Sequence, residues 1–503
     1  MIASEKDLRR ELELIREELL KAEKKYSDLA VKADSRHRSG CVNLIHYLRF
    51  RSIELEPLQV KLHDLGLSSL ANAESHILHQ INSILERLGV HSRDNSKNGF
   101  QHSANDVKEK SMLLFGGKDD DNPHIMVTFD KSMSEDYDKV KTLLKAGMNV
   151  ARINTAHDDP RKWLKMIRYI KQASAELNRP CVIYMDLAGP KIRTCFFGRQ
   201  HRENKIHLKE NEVFFLAENG REHVGKNKLV GLSAKGILSF VKKNQRVLFD
   251  DGRVEAKVLQ SRATNLKLEV TRIDGKKNGL KAGKGINFPD SEIDLPALSE
   301  TDLRNLPFIA SHAHLIGYSF VQSPEDIVKL KKAIPPKTSC SLILKIETHK
   351  AVRFFPDLLF KAMEDPLFGV MIARGDLAAE IGFDRLGHVQ DELLWICEAA
   401  RVPVIWATQV MESQNKSGLA TRSEITDALH GSMAECIMIN KGPHQADVIK
   451  TLQKILSSGR HQQHKKRYLL PALPMAVDFM QNKNNTLQSA GARLFIKHPQ
   501  QIS

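Results

Sequence analysis

Lys345 and Glu347 stand two residues apart in "LILKIE" (342–347), an apolar run that reads as a buried strand. Alternate residues of a strand share a face, so this ammonium and carboxylate project together. A single pair of this kind is equally an ion pair closing a sheet end. Other apolar runs end in the same manner. "NVARINT" brings Arg152 and Asn154, with His157 just beyond, and "CVIYMDL" reaches Asp186, with Arg193 after it. "LIGYSF" brings Ser319, "GVMIAR" leads into Arg374-Gly375-Asp376, and "VPVIWAT" into Thr408. A strand cap explains any one of these, but not a converging set of two carboxylates, a Lys, several Arg and a Thr. Glu347 and Asp376 on adjacent strands suit one hard divalent cation, Mg2+ or Mn2+, with waters and substrate oxygens completing the shell. Gly375-Asp376 also open a helix ("GDLAAEI") whose free N–H groups suit a substrate carboxylate. The fork of Arg152 and the point charge of Lys345 suit a phosphoryl group. Lys345 is placed to neutralise that group in flight.

The elements that must position these residues begin at His124. The runs "HIMVTF", "NVARINT", "CVIYMDL", "LIGYSF", "SLILKIE", "GVMIAR", "VPVIWAT" and "CIMIN" alternate with helix-like stretches such as 136–146 and 160–177. Such βα repetition implies a parallel sheet, and eight repeats imply a closed (β/α)8 barrel, an α/β fold with its site at the C-terminal strand ends. One connection is anomalous: residues 195–284 carry β-like alternation ("KIHLKENEVFFLA", "QRVLFDDGRVEAKVL", "NLKLEVTRI"). A small β domain inserted after the third strand is the expectation.

Ahead of the barrel, Leu8, Leu12, Ile15, Leu19, Ala22, Tyr26 and Leu29 form one helical seam. A helical hairpin packed on the main body is preferred to a coiled coil, because the seam is short. Residues 91–110 read as a polar, flexible linker. The expected divisions are 1–122 (helical extension and linker), 123–194 with 285–458 (barrel), 195–284 (inserted lid) and 459–503 (basic tail).

The 503 residues are 41% hydrophobic and 27% charged, with a formal net charge of +15. No apolar run approaches membrane-spanning length and the charged N-terminus lacks an apolar leader, so no membrane and a cytoplasmic location are expected. Six scattered cysteines without a C-x-x-C pair read as reduced core thiols. The basic cluster "GRHQQHKKRY" (459–468) lacks a recognition motif and reads as a solvated tail rather than a specific nucleic-acid site.

"KAGMNVARINTAH", "DLAGPKIRT", "LFDDGRV", "KGINFPDSEIDLPALSETD", "LILKIETH", "GVMIARGDLAAEI", "PVIWATQVMES" and "ATRSEITDA" together resemble the glycolytic enzyme pyruvate kinase, in the family's order from about 124 to 457. The resemblance implies conversion of phosphoenolpyruvate and ADP to pyruvate and ATP. It implies that Arg152 contacts the phosphoryl-bearing substrate, that Lys345 stabilises the transferring phosphoryl, and that Glu347 and Asp376 bind Mg2+. Gly375, Asp376 and Thr408 would hold the substrate carboxylate, with Ser319 nearby, and Thr408 lies where the enolate is protonated. Asn154, His157, Arg193 and Lys284 match nucleotide-contacting positions, and the inserted domain matches a mobile lid.

The family's monovalent-cation site falls on Asn154, Ala156, Asp186 and Leu187, where Ala156 has lost a hydroxyl ligand. Lys191 stands where potassium-dependent members carry Glu, so independence from K+ is expected. "VTFDKSM", Gln322 and "CIMINKGPH" depart from the family pattern around the nucleotide. The residues after 457 are too few for the family's C-terminal regulatory domain, so activation through it is not expected. Whether the N-terminal helices supply an oligomer contact stays open. The alternatives are a weakened or repurposed relative that binds phosphoenolpyruvate or nucleotide, and a Mg2+-enolate lyase on the same carboxylate pair.

Overall fold

The structure, a computed structural model, describes residues 5–90, 99–118, 122–197, 205–220, 227–274, 279–293, 295–336, 338–459 and 473–487. Eight strands form its centre: β1 (His124–Thr128), β2 (Val150–Asn154), β3 (Val182–Asp186), β4 (Leu315–Tyr318), β5 (Ser341–Ile346), β6 (Phe368–Ala373), β7 (Val404–Ala407) and β8 (Cys436–Ile439). Every neighbouring pair is parallel, and β1 pairs with both β2 and β8, so the sheet closes on itself. The strands are rich in Val, Ile and Met and buried on both faces, as a sheet ringed by helices requires.

Strand alternation divides the side chains into two layers. Met126, Val150, Tyr184, Leu315, Ile343, Met371, Ile405 and Met438 fill the barrel interior. Ile125, Ile153, Met185, Leu344, Ile372, Trp406 and Ile437 join a second core shared with the surrounding helices. Continuing the interior phase to the strand ends gives Thr128, Arg152, Asp186, Ser319, Lys345 and Glu347. The period of two therefore delivers these polar groups to one mouth of the barrel.

Between β3 and the helix Glu300–His312 lies the inserted β domain. Its seven-stranded sheet runs in the order 286–287, 246–249, 254–261, 265–273, 213–217, 228–232, 194–195. Phe214, Val247, Phe249, Val258 and Leu268 give it a core of its own.

The extension carries α1 (Glu5–Lys25), α2 (Arg38–Arg51) and α3 (Phe100–Phe115), and it packs on the barrel helix α4 (Phe383–Ala400). Leu8, Leu12, Ile15 and Leu19 of α1 and Leu44, Ile45 and Leu48 of α2 belong to the same core as the barrel's outer layer. Polar contacts seal the joint: Asn43 Nδ2 donates to Ala399 O at 2.8 Å, and Arg401 Nη2 to Ser75 O at 3.0 Å.

The structure corrects the polar linker, since α3 covers most of 91–110 and only 91–98 lie outside the described residues. The helix buries a polar face that apolar periodicity does not reveal. Lys110 donates to Arg401 O at 3.1 Å and pairs with Asp106 at 3.0 Å. The tail is corrected in part by α5 (Pro474–Leu487), whose Phe479 ring lies 5.4 Å from Phe360 and 6.0 Å from Tyr26. The basic run beyond Gly459 lies outside the described residues.

Candidate functional site

At the mouth of the barrel the interior-facing polar residues form one network. Arg152 Nε donates to Asp186 Oδ2 at 2.6 Å, and its Nη1 to Thr128 Oγ1 at 3.0 Å. Tyr184 Oη donates to Asp186 Oδ1 at 2.6 Å, and Lys345 Nζ lies 3.5 Å from that same oxygen. Lys345 also donates to Ser319 Oγ at 2.6 Å and pairs with Glu347 Oε1 at 3.0 Å. The other oxygen of Glu347 accepts the Phe320 N–H at 2.7 Å. Gly317 makes room for this arrangement, because a Cβ there would overlap Tyr184 Oη and Asp186 Oδ1.

The electrostatics follow from burial and pairing. Burial pushes the Asp186 carboxyl up, but Arg152 and Lys345 outweigh it and hold the group below its ordinary range. Burial likewise opposes the charge of Lys345, and Asp186 with Glu347 raises its pKa above the ordinary value. Glu347 is shifted up by burial and by the neighbouring charge of Asp376, against the pull of Lys345. The Asp376 charge thus reaches Glu347, a repulsion that a divalent cation held by both carboxylates would relieve. Among the described residues no three His, Cys, Asp or Glu come together as a ready-made metal cage. An ion held by Glu347 and Asp376 would draw the rest of its shell from substrate oxygens and water, a coordination that suits Mg2+.

Asp376 opens the helix Arg374–Ile381, and Gly375 N donates to Thr408 Oγ1 at 2.7 Å. Thr408 sits at φ +69°, a left-handed conformation costly for a β-branched residue. Arg374 holds it there: its guanidinium donates to Ala407 O at 3.1 Å and Thr408 O at 2.6 Å, pairs with Asp427, and lies 4.3 Å above the Trp406 ring.

Lys191 comes from the loop after β3. Its Nζ lies 2.5 Å from Asp376 Oδ1 and 3.9 Å from Asp251 Oδ1 of the inserted domain. Burial works against its charge, but Asp376 and Asp251 raise its pKa. The loop is tied down by Asp302, which accepts the N–H groups of Ala188 at 2.7 Å and Gly189 at 3.1 Å. Of the expected monovalent-cation positions, Ala156 offers no side-chain oxygen and both Asp186 oxygens are taken. Leu187 turns its N–H to Gly317 O at 2.8 Å.

Asn154 and His157 line a separate cavity of about 240 Å³ near β1 and β2, together with Lys131 and Lys441. Burial lowers the His157 pKa, and the charges of Lys441 and Arg193 lower it further. Arg193 Nη1 donates to Gly283 O at 3.0 Å, and Lys284 pairs with Asp250 at 2.8 Å within the inserted domain. The structure therefore brings Asn154 and His157 together, with Arg193 close enough for its charge to act on His157, and leaves Lys284 paired with Asp250 outside that cavity.

Tyr184, Thr128, Asp302, Asp427 and Lys441 were not singled out from the sequence. For Tyr184 a signal existed, since it shares the strand phase of Asp186. Asp302 is legible locally only as the capping-box partner of Ser299; its loop partners Ala188 and Gly189, like the Arg374 partner of Asp427, lie more than fifty positions away.

A family model described as "Pyruvate kinase, barrel domain" matches residues 122–443. The chain is 30% identical over 330 residues to pyruvate kinase of Thermotoga maritima, covering 64% of this chain and 68% of that one. It is 32% identical over 319 residues to pyruvate kinase PKLR of Rattus norvegicus, covering 61% of this chain and 54% of the rat protein. With pyruvate kinase of Clostridium acetobutylicum it shares 29% over 346 residues, covering 67% of this chain and 70% of that one. The family match spans the barrel strands, the inserted domain and the polar mouth together, and the chain belongs to the pyruvate kinase family.

Proposed function

We propose that this chain transfers the phosphoryl group of phosphoenolpyruvate to ADP, giving pyruvate and ATP, with Mg2+ or Mn2+ and without a need for K+. The observation that carries the reading is the buried Lys345 ammonium, held 3.0 Å from Glu347 and 3.5 Å from Asp186 at the barrel mouth. A buried cation fixed between two carboxylates, with Arg152 on the same Asp186, is the apparatus that phosphoryl transfer needs, where positioning and electrostatics dominate.

In this reading the bond between phosphorus and the enol oxygen breaks as a β-phosphate oxygen of ADP bonds to phosphorus. The enolate left behind takes a proton at its methylene carbon. Arg152 and Lys345 orient the phosphoryl and offset its charge, and Ser319 fixes the Lys345 amine. Glu347 and Asp376 hold the metal, which supplies charge neutralisation to the substrate oxygens when bound. The substrate carboxylate takes the N–H groups at Gly375-Asp376. That releases the Thr408 hydroxyl, which now accepts the Gly375 N–H, for the protonation step. Asn154, His157, Arg193 and Lys284 serve the nucleotide. The inserted domain covers the site and excludes water. Lys191 supplies the fixed cation that replaces K+. A cytoplasmic location accords with six unpaired cysteines.

The test is pyruvate formation from phosphoenolpyruvate and ADP with Mg2+, with and without K+, beside Lys345→Met. Turnover that Lys345→Met lowers by about 10²-fold or more is expected. No turnover in the parent chain, with phosphoenolpyruvate still raising Tm, would refute the transferase and leave a binding protein.

A further inference from the structure

The chain leaves β4 through a strained turn. Ser319 continues the interior phase and accepts from the Lys345 amine, but the next residue, Phe320, is left-handed at φ +55°. It is the only aromatic residue at positive φ among the described residues. Gly, Asn and Asp enter this conformation readily, whereas a bulky side chain meets a steric penalty there. Such strain persists only where the surroundings impose it.

Anchors on either side impose it here. The Phe320 N–H donates to Glu347 Oε2 at 2.7 Å, which ties the turn to the end of β5. Just beyond, Asp326 accepts the Gln322 N–H at 3.0 Å and the Ser323 N–H at 3.1 Å, which ties it to the helix Pro324–Ala333. Between these anchors the Phe320 ring is carried onto Gly189, in the loop after β3. A Cβ at Gly189 would lie 2.5 Å from Phe320 Cδ2, so the ring fills the space that a side chain at 189 would need. Asp302 grips the same loop through the N–H groups of Ala188 and Gly189. A carboxylate and an aromatic ring thus hold the segment that leads, by way of Pro190, into Lys191.

We propose that Phe320 is a positioning residue for phosphoryl transfer: its ring braces the 188–191 loop and so sets the Lys191 ammonium against Asp376. The inference rests on the phosphotransferase reading, in which Lys191 supplies the fixed cation of the mouth. A lysine stem has wide rotamer freedom, so its charge stays 2.5 Å from Asp376 Oδ1 only while its backbone is held. A glycine at 320 would make the turn without strain and leave Gly189 uncovered. The need for the ring accounts for a bulky residue where the backbone disfavours one. Because the same residue gives its N–H to Glu347, a single turn sets the Lys191 loop in register with β5.

The test compares Phe320→Gly, which permits the turn and removes the ring, with Phe320→Tyr, which keeps the ring. The first readout needs no turnover. The full chain is acylated briefly with acetic anhydride, and labelling of Lys191 is read by mass spectrometry against the exposed Lys171. Lys191 has 20% of its side chain exposed and its amine on Asp376; it should label slowly in the parent and in Phe320→Tyr, and at least about threefold faster in Phe320→Gly. The second readout is kcat/KM with phosphoenolpyruvate and ADP. Phe320→Gly should lose about tenfold in the parent background and stay within about twofold of Lys191→Met when added to it, since both changes then act through one amine. A merely structural role would lower both backgrounds alike. Equal labelling of Lys191 in the parent and Phe320→Gly, or full additivity with Lys191→Met, overturns the positioning role and leaves the phosphotransferase reading standing. A parent without turnover refutes that reading instead, and the labelling ratio still decides whether the ring places Lys191. Should Phe320→Gly fail to fold, Phe320→Asn, which tolerates the same turn, takes its place with the same expectations.

Discussion

Replacing Lys191 tests the charge proposed to stand in for K+. Its ammonium lies 2.5 Å from Asp376 Oδ1 and 3.9 Å from Asp251 Oδ1. At an effective dielectric constant of about 20, unit charges about 4 Å apart interact by about 4 kcal/mol. Asp251 is more than half exposed, so its share is strongly screened and the term that matters is Asp376. Lys191→Met should therefore lose about 3 kcal/mol of charge stabilisation at the metal carboxylates, or about 10²-fold in kcat/KM. Lys191→Glu reverses the sign beside Asp376 and should lose about 10³-fold or more without K+, of which about 100 mM K+ restores at least about tenfold. The assay is pyruvate formation in tetramethylammonium buffer against a K+ titration. Parent turnover that rises severalfold with K+, or Lys191→Met equal to the parent in its absence, would refute the reasoning.

Gly317→Ala should fold but lose about tenfold or more in kcat, because the new methyl displaces the Asp186 carboxylate that aligns Arg152 and Lys345; steady-state kinetics with a near-ultraviolet dichroism control reads it. Arg374→Lys keeps the charge but not the fork that fixes Thr408, so kcat should fall by about tenfold with KM for phosphoenolpyruvate less affected; a change confined to KM would contradict the positioning role. Glu435 carries a folded pKa of about 7 against an ordinary 4.5, so the folded state binds more protons and loses stability as pH rises through that window. Glu435→Gln should accordingly be more stable than the parent by up to about 3 kcal/mol at pH 8 and nearly equal to it near pH 4.5, read as Tm against pH. Removing residues 1–118 should leave an insoluble barrel, because Leu44, Ile45 and Leu48 share one core with α4; a soluble, cooperatively melting 119–503 fragment would show otherwise.

The barrel was legible because its strands repeat one physical requirement. Five of them are apolar on both faces until a polar residue enters the interior phase towards the C-terminal end, at Thr128, Arg152, Asp186, Ser319 and Lys345, whereas β6 and β7 end that phase in Ala373 and Ala407. The inserted domain was legible as a change of period. What escaped was structure held by distant polar partners. In α3 the buried face includes Ser103, Lys110 and Ser111. Lys110 is tolerated there because Asp106, one turn before it, and the Arg401 carbonyl receive its charge, and nothing local announces the Arg401 contact. In α5 a modest apolar pattern becomes a packed helix only when Phe479 meets Tyr26 and Phe360. Lys191 could be recognised as a misplaced cation in the sequence, but not that it would reach Asp376, 185 positions away.

Asp186 shows why that cation matters. In a site built for K+, this carboxylate is among the residues expected to share its charge with the ion. Here Arg152 takes one oxygen, and Tyr184 and Lys345 occupy the other. Arg152, Lys345 and Lys191 stand against Asp186, Glu347 and Asp376, three charges on each side, with Asp251 and Glu380 adding carboxylates around Lys191. A further monovalent cation would have to enter where no free carboxylate oxygen awaits it and where Ala156 has no hydroxyl to offer. Remove the Lys191 charge and Asp376 is left without its cation, next to the proposed position of an anionic substrate. Charge balance, more than the loss of any single ligand, is therefore the ground on which Lys191 is proposed to stand in for K+.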